Sequence, residues 1–334
     1  MEKRGGKAGM TDIPVQVSIG LPVFNGEKYL AHLIDSVLSQ TFSDFELIIS
    51  DNASTDRTQE MCLDYAIRDR RIIYSRNPEN VGAAENANIV FRKARGRYFR
   101  WAGHDDVFAP DLLARCVTVL DAMPDIILCH TIVTTIDQHG KATGHIESSK
   151  GLAEHPHSRF HELILLNYHC DQIYGLIRSE VLQRTNLFQN YTDCDRTLLA
   201  EVGLYGRFYY VKEPLFFRRV HPEKSTEVFK DWRSRMALYN PGKENHIWLP
   251  HWLQFFDYIR VIGTVRLPLL ERLLCLSHMV NWLVGERHGR SMIKDLYLAA
   301  SSFVRRHVLN SSSRGVTVSD GHPQLSRDLH QQGE

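Results

Sequence analysis

The chain lacks any apolar run long enough to cross a membrane, any C-x-x-C pair and any surplus of one charge. Its nearest approach to a spanning segment, LLCLSHMVNWLVG (273–285), falls short of the roughly 18 residues required and carries His278 and Asn281. A soluble or peripheral, cytoplasmic protein is therefore expected. Six cysteines, Cys62, Cys116, Cys129, Cys170, Cys194 and Cys275, are scattered singly, which excludes a zinc ribbon or disulfide frame and suits reduced core thiols. Forty basic residues against thirty-nine acidic ones leave no net field, which argues against a nucleic-acid binder. There is no internal repeat, no G-x-G-x-x-G and no G-x-x-x-x-G-K-[ST], so the usual glycine-rich phosphate cradles are excluded.

What is present is an ordinary globular composition, 43% apolar and 24% charged, over 334 residues. That length suits one large domain with an extension, or two modest domains. The opening MEKRGGKAGMTDI (1–13) has no apolar core for a signal peptide and reads as a disordered leader. Residues 310–334, rich in Ser, Gly, Gln and His, read as a disordered tail.

Between these ends, strand-like and helix-like segments alternate. VQVSIGLP (15–22), FELIIS (45–50), RIIYSRN (71–77), RYFRWA (97–102) and DIILCHTIV (125–133) are strand-like. The segments after the first four, GEKYLAHLIDSVLSQ (26–40), 55–68, NVGAAENANIVFRKA (80–94) and PDLLARCVTVLDAM (110–123), show helical spacing. Such an order predicts a mostly parallel sheet flanked by helices, with ligands bound beyond the carboxyl ends of the strands. Residues 137–155 read as a polar loop. A helix near 158–168, a strand at QIYGLIR (172–178), a helix opening near Asp195 and two short strands, RFYYV (207–211) and LFFRRV (215–220), follow. Beyond about residue 230 three aromatic, amphipathic helices are expected, at 249–263, 267–285 and 291–306.

Four stretches carry candidate chemistry, and each also has a plain structural explanation. PVFN, Pro22 to Asn25, closes the first strand and by itself is a turn. Asp51 ends the second strand, where a carboxylate accepts hydrogen bonds from a nucleobase or merely caps the strand; Asp56 with Gln59 makes a capping box nearby. NVGAAENAN, Asn80 to Asn88, is either a helix packed through small residues or a backbone approached by a ligand at Gly82. In GHDDVFAPDLL, adjacent Asp105 and Asp106 follow a strand expected to be central, so they need open solvent or a hard divalent cation shared with phosphate oxygens. Further on, Asp195 opens a helix, where the dipole favours a carboxylate, and His221 ends a strand before Pro222.

In this order and spacing, SIGLPVFNGEKYLAHLIDSVLSQTFSDFELIISDNASTD, NPENVGAAENAN, HDDVFAPDLL and DRTLLAEVGLYGRFYYVKEPLFFRRVHPEKS resemble the family 2 glycosyltransferases of GT-A fold, from about Val17 to Thr226. The resemblance implies an α/β, Rossmann-like sheet as a transferase domain over 14–228 and a helical C-terminal extension over 229–309. It implies an inverting sugar transfer from a nucleoside-diphosphate sugar, a UDP-sugar being favoured, to an acceptor hydroxyl on a glycan, lipid carrier or protein in polysaccharide or glycoconjugate synthesis. Pro22, Phe24, Asn25 and Asp51 then line the pocket for base and ribose, with Asn80 and Gly82 closing its other wall. Asp105 and Asp106 correspond to the acidic motif that holds Mn²⁺ or Mg²⁺, with Asp105 also reaching the donor and His221 near the metal. Asp195 corresponds to the catalytic base, with Asp193 as the alternate. The chain departs from the family pattern at Gly103, where an acid is usual, at Cys194, where a glutamate is usual, and around Glu85-Asn86, where an arginine is common. Two other readings stay open, a nucleotidyltransferase making sugar nucleotides and a non-catalytic module that binds nucleotide or glycan. For the C-terminal helices the expectation is packing on the transferase domain or a homodimer contact, with peripheral membrane contact as the alternative.

Overall fold

The computed structural model describes residues 15–165, 169–224, 228, 232–242, 246, 248–284 and 288–312, with side chains described as far as Ser301. The expected leader (1–13) and all but the first three residues of the expected tail (310–334) lie outside these. Among the described residues nine strands form a single sheet. They are β1 (Val17–Val23), β2 (Phe45–Asp51), β3 (Ile72–Arg76), β4 (Tyr98–Trp101), β5 (Val107–Phe108), β6 (Ile126–Ile136), β7 (Ala142–Ile146), β8 (Leu176–Arg178) and β9 (Arg207–Arg219). Their order is β3-β2-β1-β4-β8-β6-β9-β5, with β7 paired to β6.

β1 and β2 are buried on both faces almost throughout, which is the fate of continuous apolar runs inside a parallel sheet. β3, β2, β1 and β4 pair in parallel, so their carboxyl ends lie along one edge. The fifth expected parallel strand, β6, does not join them directly. The short β8 inserts between β4 and β6, antiparallel to both. β9 is one long strand where two short ones were expected. Its pairing with β6 shifts register beside Pro214, and this bulge, which proline favours, gave the sequence its broken look. The expected loop at 137–155 contains β7, folded back on β6. QIYGLIR divides into a 3₁₀ turn, Asp171–Tyr174, and β8.

The helices are α1 (Leu30–Leu38), α2 (Thr58–Arg68), α3 (Ala83–Arg92), α4 (Leu112–Ala122), α5 (Pro156–Ile164), α6 (Ser179–Leu182), α7 (Cys194–Tyr205), α8 (Trp232–Tyr239), α9 (Pro250–Thr264), α10 (Leu269–Val284) and α11 (His288–Ser312). α1 buries Leu30, Leu33, Ile34 and Val37, one stripe at helical spacing, in the core it shares with α4 and the sheet. The opposite core holds Phe160 of α5, Leu198 and Val202 of α7, Phe99 of β4 and Val90 of α3. The C-terminal helices supply Tyr258, Val261, Cys275, Met279 and Trp282 to that same core. Among the described residues no helix is long and apolar enough to cross a membrane. Five of the six cysteines, Cys62, Cys116, Cys129, Cys194 and Cys275, are buried.

Candidate active site

The carboxyl ends of β1, β2 and β4 bring three of the four singled-out stretches together. Asp51 is fully buried at the end of β2. Its Oδ1 accepts the backbone N–H of Ser54 at 2.8 Å. Its Oδ2 accepts the Tyr74 hydroxyl at 2.9 Å and Arg76 Nη1 at 2.6 Å. Arg76 stands opposite Asp51 in the parallel register of β2 and β3, so the sheet itself delivers this partner. The chain thus supplies most of what Asp51 accepts.

Asn25 takes a left-handed conformation (φ 52°), which asparagine tolerates, and turns the chain out of β1. Its Oδ1 accepts the Thr55 backbone N–H at 2.8 Å, fastening the β1 loop to the β2 loop. Pro22 is half-buried in β1, and Phe24 stands 44% exposed at the mouth. Asn80 Oδ1 accepts from Asn52 Nδ2 at 2.8 Å and from the Gly82 N–H at 2.9 Å. Gly82 has φ 89°, and a Cβ there would lie 2.3 Å from the Tyr239 carbonyl oxygen. The close approach that Gly82 allows is therefore made by the chain's own α8.

Asp105 and Asp106 are both buried in the loop after β4. Asp105 Oδ2 accepts from His221 Nε2 at 3.2 Å and Lys224 Nζ at 3.3 Å. Asp106 Oδ1 accepts the Arg219 backbone N–H at 3.1 Å, and Arg219 Nε donates to the Asp105 carbonyl at 2.9 Å. The other two oxygens converge over Gly103, where a Cβ would lie 2.7 Å from Asp106 Oδ2 and 3.0 Å from Asp105 Oδ1. The departure at Gly103 is thus matched to the pair, since a side chain there would press on both carboxylates. Burial works to raise Asp105, but the His221 hydrogen bond and the charge of Lys224 outweigh it and hold it below the ordinary carboxylate value. Burial, reinforced by the charge of Asp105, pushes Asp106 up. One acid ionised beside another reluctant to ionise is a pair short of positive charge.

Two converging carboxylate oxygens fit a hard divalent cation that takes its remaining ligands from water and phosphate. Among the described residues no three His, Cys, Asp or Glu side chains form a metal cage of their own. His221 reaches the pair, but its Nε2 is engaged by Asp105 and its buried Nδ1 has no hydrogen-bond partner among the described residues. Its ring is tilted against Tyr29 with centroids 4.8 Å apart, and its bond to Asp105 braces one of the two acids beside which the sequence expects the metal.

Asp195 lies in the first turn of α7, its Oδ1 accepting the Arg196 N–H at 2.8 Å. Burial, with the neighbouring charge of Asp193, pushes its pKa up to about 6. Asp193 is exposed and left-handed (φ 63°) at the helix start. Tyr174 links this end to the other. Burial first, then the charges of Asp106, Asp105, Asp171 and Asp195, raise its phenol well above the ordinary value. The charges of both ends of the site therefore act on one phenol.

Several contributors have roles that the sequence pattern does not assign. Asn52, Asn77 and Asn86 form a side-chain network under the Asn80 wall, with Asn77 Nδ2 donating to Asn52 Oδ1 at 3.1 Å and to Asn86 Oδ1 at 3.0 Å. Arg76 and Tyr74 could have been found from the register of adjacent parallel strands. Arg219 and Lys224, flanking His221, carried no signal beyond that proximity, and Tyr174 sat inside a segment read as strand.

A family model described as glycosyl transferase family 2 matches residues 18–187. An uncharacterized glycosyltransferase of Rickettsia prowazekii, RP339, is 29% identical over 220 residues, 64% of this chain and 66% of that protein. Abequosyltransferase RfbV of Salmonella typhimurium is 40% identical over 125 residues, 36% of this chain and 37% of its own. The chain thus spans under two thirds of the length of these relatives. In fold it is similar to S. aureus TarS 1-349 solved in complex with UDP, with a TM-score of 0.51, 19% identity and coverage of 90% and 92% of the two chains. The same TarS fragment in complex with UDP-GlcNAc gives a TM-score of 0.53, 16% identity and coverage of 87% and 92%.

Proposed function

Because the chain belongs to the family 2 glycosyl transferases, we propose that it moves a sugar from a nucleoside-diphosphate donor to an acceptor hydroxyl, with inversion at the anomeric carbon and help from Mn²⁺ or Mg²⁺. The observation that carries this reading is the convergence of Asp105 Oδ1 and Asp106 Oδ2 over Gly103, with Asp195 near enough for its charge and theirs to act on the same Tyr174 phenol. Inversion in a single displacement needs a base and a leaving-group stabiliser on opposite sides of the sugar.

Asp51, Asn25, Phe24 and Pro22 form the wall for base and ribose, and Asn80 with its asparagine network stiffens the opposite wall. A divalent cation held by Asp105 and Asp106 would supply charge neutralisation for the departing diphosphate. Arg219, His221 and Lys224 fix those carboxylates and keep one ionised. Asp195, with a pKa of about 6, is ionised at neutral pH yet basic enough to take the acceptor's proton. A UDP-sugar is the favoured donor, and the TarS complexes with UDP and UDP-GlcNAc support that choice. The acceptor is a hydroxyl of a growing glycan or lipid-linked sugar in polysaccharide synthesis. The outward stripe of α10, Leu269, Leu273, Val280 and Val284, is exposed and suits a homodimer contact.

The test is release of UDP from UDP-Glc, UDP-Gal and UDP-GlcNAc with Mn²⁺, in wild type and Asp195→Asn. We expect release with at least one donor, falling at least ~10²-fold in the variant. Equal release by both proteins would remove Asp195 from the base role.

A further inference from the structure

Asp171 has no part in the roles above, yet it is only 8% exposed and its charge reaches Asp106. It opens the 3₁₀ turn Asp171–Tyr174, which packs against β4, β6 and α7. Its Oδ1 accepts Arg218 Nη1 at 2.8 Å. Its Oδ2 is buried and has no hydrogen-bond partner among the described residues. A carboxylate oxygen left bare inside a protein is costly, and a native structure seldom keeps one without use.

The position of the turn says what that use is. β4 leads into Asp105-Asp106, and α7 carries Asp195 in its first turn. The charges of Asp106, Asp105, Asp171 and Asp195 all reach the Tyr174 phenol at the end of the same turn. Asp171 therefore sits in a turn packed against both the strand that leads to the acid pair and the helix that carries Asp195, beside the stretch that a transferred sugar ring has to span. Paired to a guanidinium, its carboxylate offers only acceptors, which repel phosphate and attract O–H donors.

We propose that Asp171 Oδ2 accepts a hydrogen bond from a hydroxyl of the donor's sugar and so helps select which sugar is held, an inference that rests on the donor-site reading above. Arg218 fixes the carboxylate through Oδ1 and leaves Oδ2 for the sugar.

The test titrates UDP, GDP, UDP-Glc, UDP-Gal, UDP-GlcNAc and GDP-Man calorimetrically, with Mn²⁺, against the full chain as wild type, Asp171→Ala and Asp171→Asn. The sugar nucleotide that wild type binds should weaken roughly tenfold in Asp171→Ala, the loss of one charge-assisted hydrogen bond. Its parent nucleoside diphosphate should stay within about twofold, which also reports that the variant is folded. Asp171→Asn, which keeps the shape and an acceptor for Arg218, should lose less than Asp171→Ala. A parallel loss of nucleotide and sugar nucleotide overturns the proposal in favour of a structural role, and so does an unchanged ratio of the two affinities. Wild type that binds none of the six ligands brings down the donor-site reading itself, a result seen without any variant.

Discussion

Asp195 has its proton affinity raised to about 6 by burial and by Asp193, so a reaction that needs it as a base should gain rate as pH rises through that value. The pH profile of kcat/KM with a saturating acceptor checks this, and a flat profile between pH 5 and pH 7.5 (roughly one unit or more either side of the transition) contradicts it. The same shift has a consequence for stability with the opposite sign. A carboxyl with a raised folded pKa binds its proton more tightly when folded, so stability present at low pH is lost as pH rises toward the folded value. Asp195→Asn should therefore unfold less readily than wild type above pH ~6, by about 3 kcal/mol at most, with the gap closing near pH ~4. At this scale the sequence was informative about charge and poor about contact. Asp51, Asp105, Asp106 and Asp195 could be picked out because strand ends and helix starts are visible as pattern. That His221 spends its nitrogen on Asp105, and that Gly103 yields its side-chain space to two carboxylates, depends on distances between residues far apart in the chain.

Gly82 joins two elements, the start of α3 and the end of α8. Its φ of 89° and the Tyr239 carbonyl 2.3 Å from the site of a Cβ forbid alanine on two separate grounds. Gly82→Ala should cost about 2 kcal/mol or more in urea unfolding; a variant as stable as wild type would mean that α8 does not close on α3. Elements were the most legible level, because the periodicity of apolar residues separates helix from strand wherever one face is buried. β1 to β4 and α1 to α4 lie where the pattern puts them. β8, three residues long, and the bulged β9 have no such signature, since pairing with β4 and β6 defines them rather than any local alternation. The order of the sheet follows from those pairings and so stayed hidden.

Across the whole molecule, the C-terminal helices share one core with α5, α7 and β4. Trp282 of α10 is fully buried, stacked on His288 at 3.9 Å and edge-on to Tyr258 of α9 at 5.8 Å, in one cluster with Phe160 and Leu198. Trp282→Ala should lower the stability of the entire chain by about 3–5 kcal/mol in a single unfolding transition. Two separate transitions, with the first alone shifted, would make the helices an independent unit. The measurement that bears most directly on the account is calorimetric titration of UDP with and without Mn²⁺ against wild type and Asp106→Ala. The convergence of Asp105 Oδ1 and Asp106 Oδ2 over Gly103 predicts UDP binding that needs Mn²⁺ and is lost in the variant. UDP binding indifferent to both metal and substitution would contradict it and leave the acid pair as a structural loop.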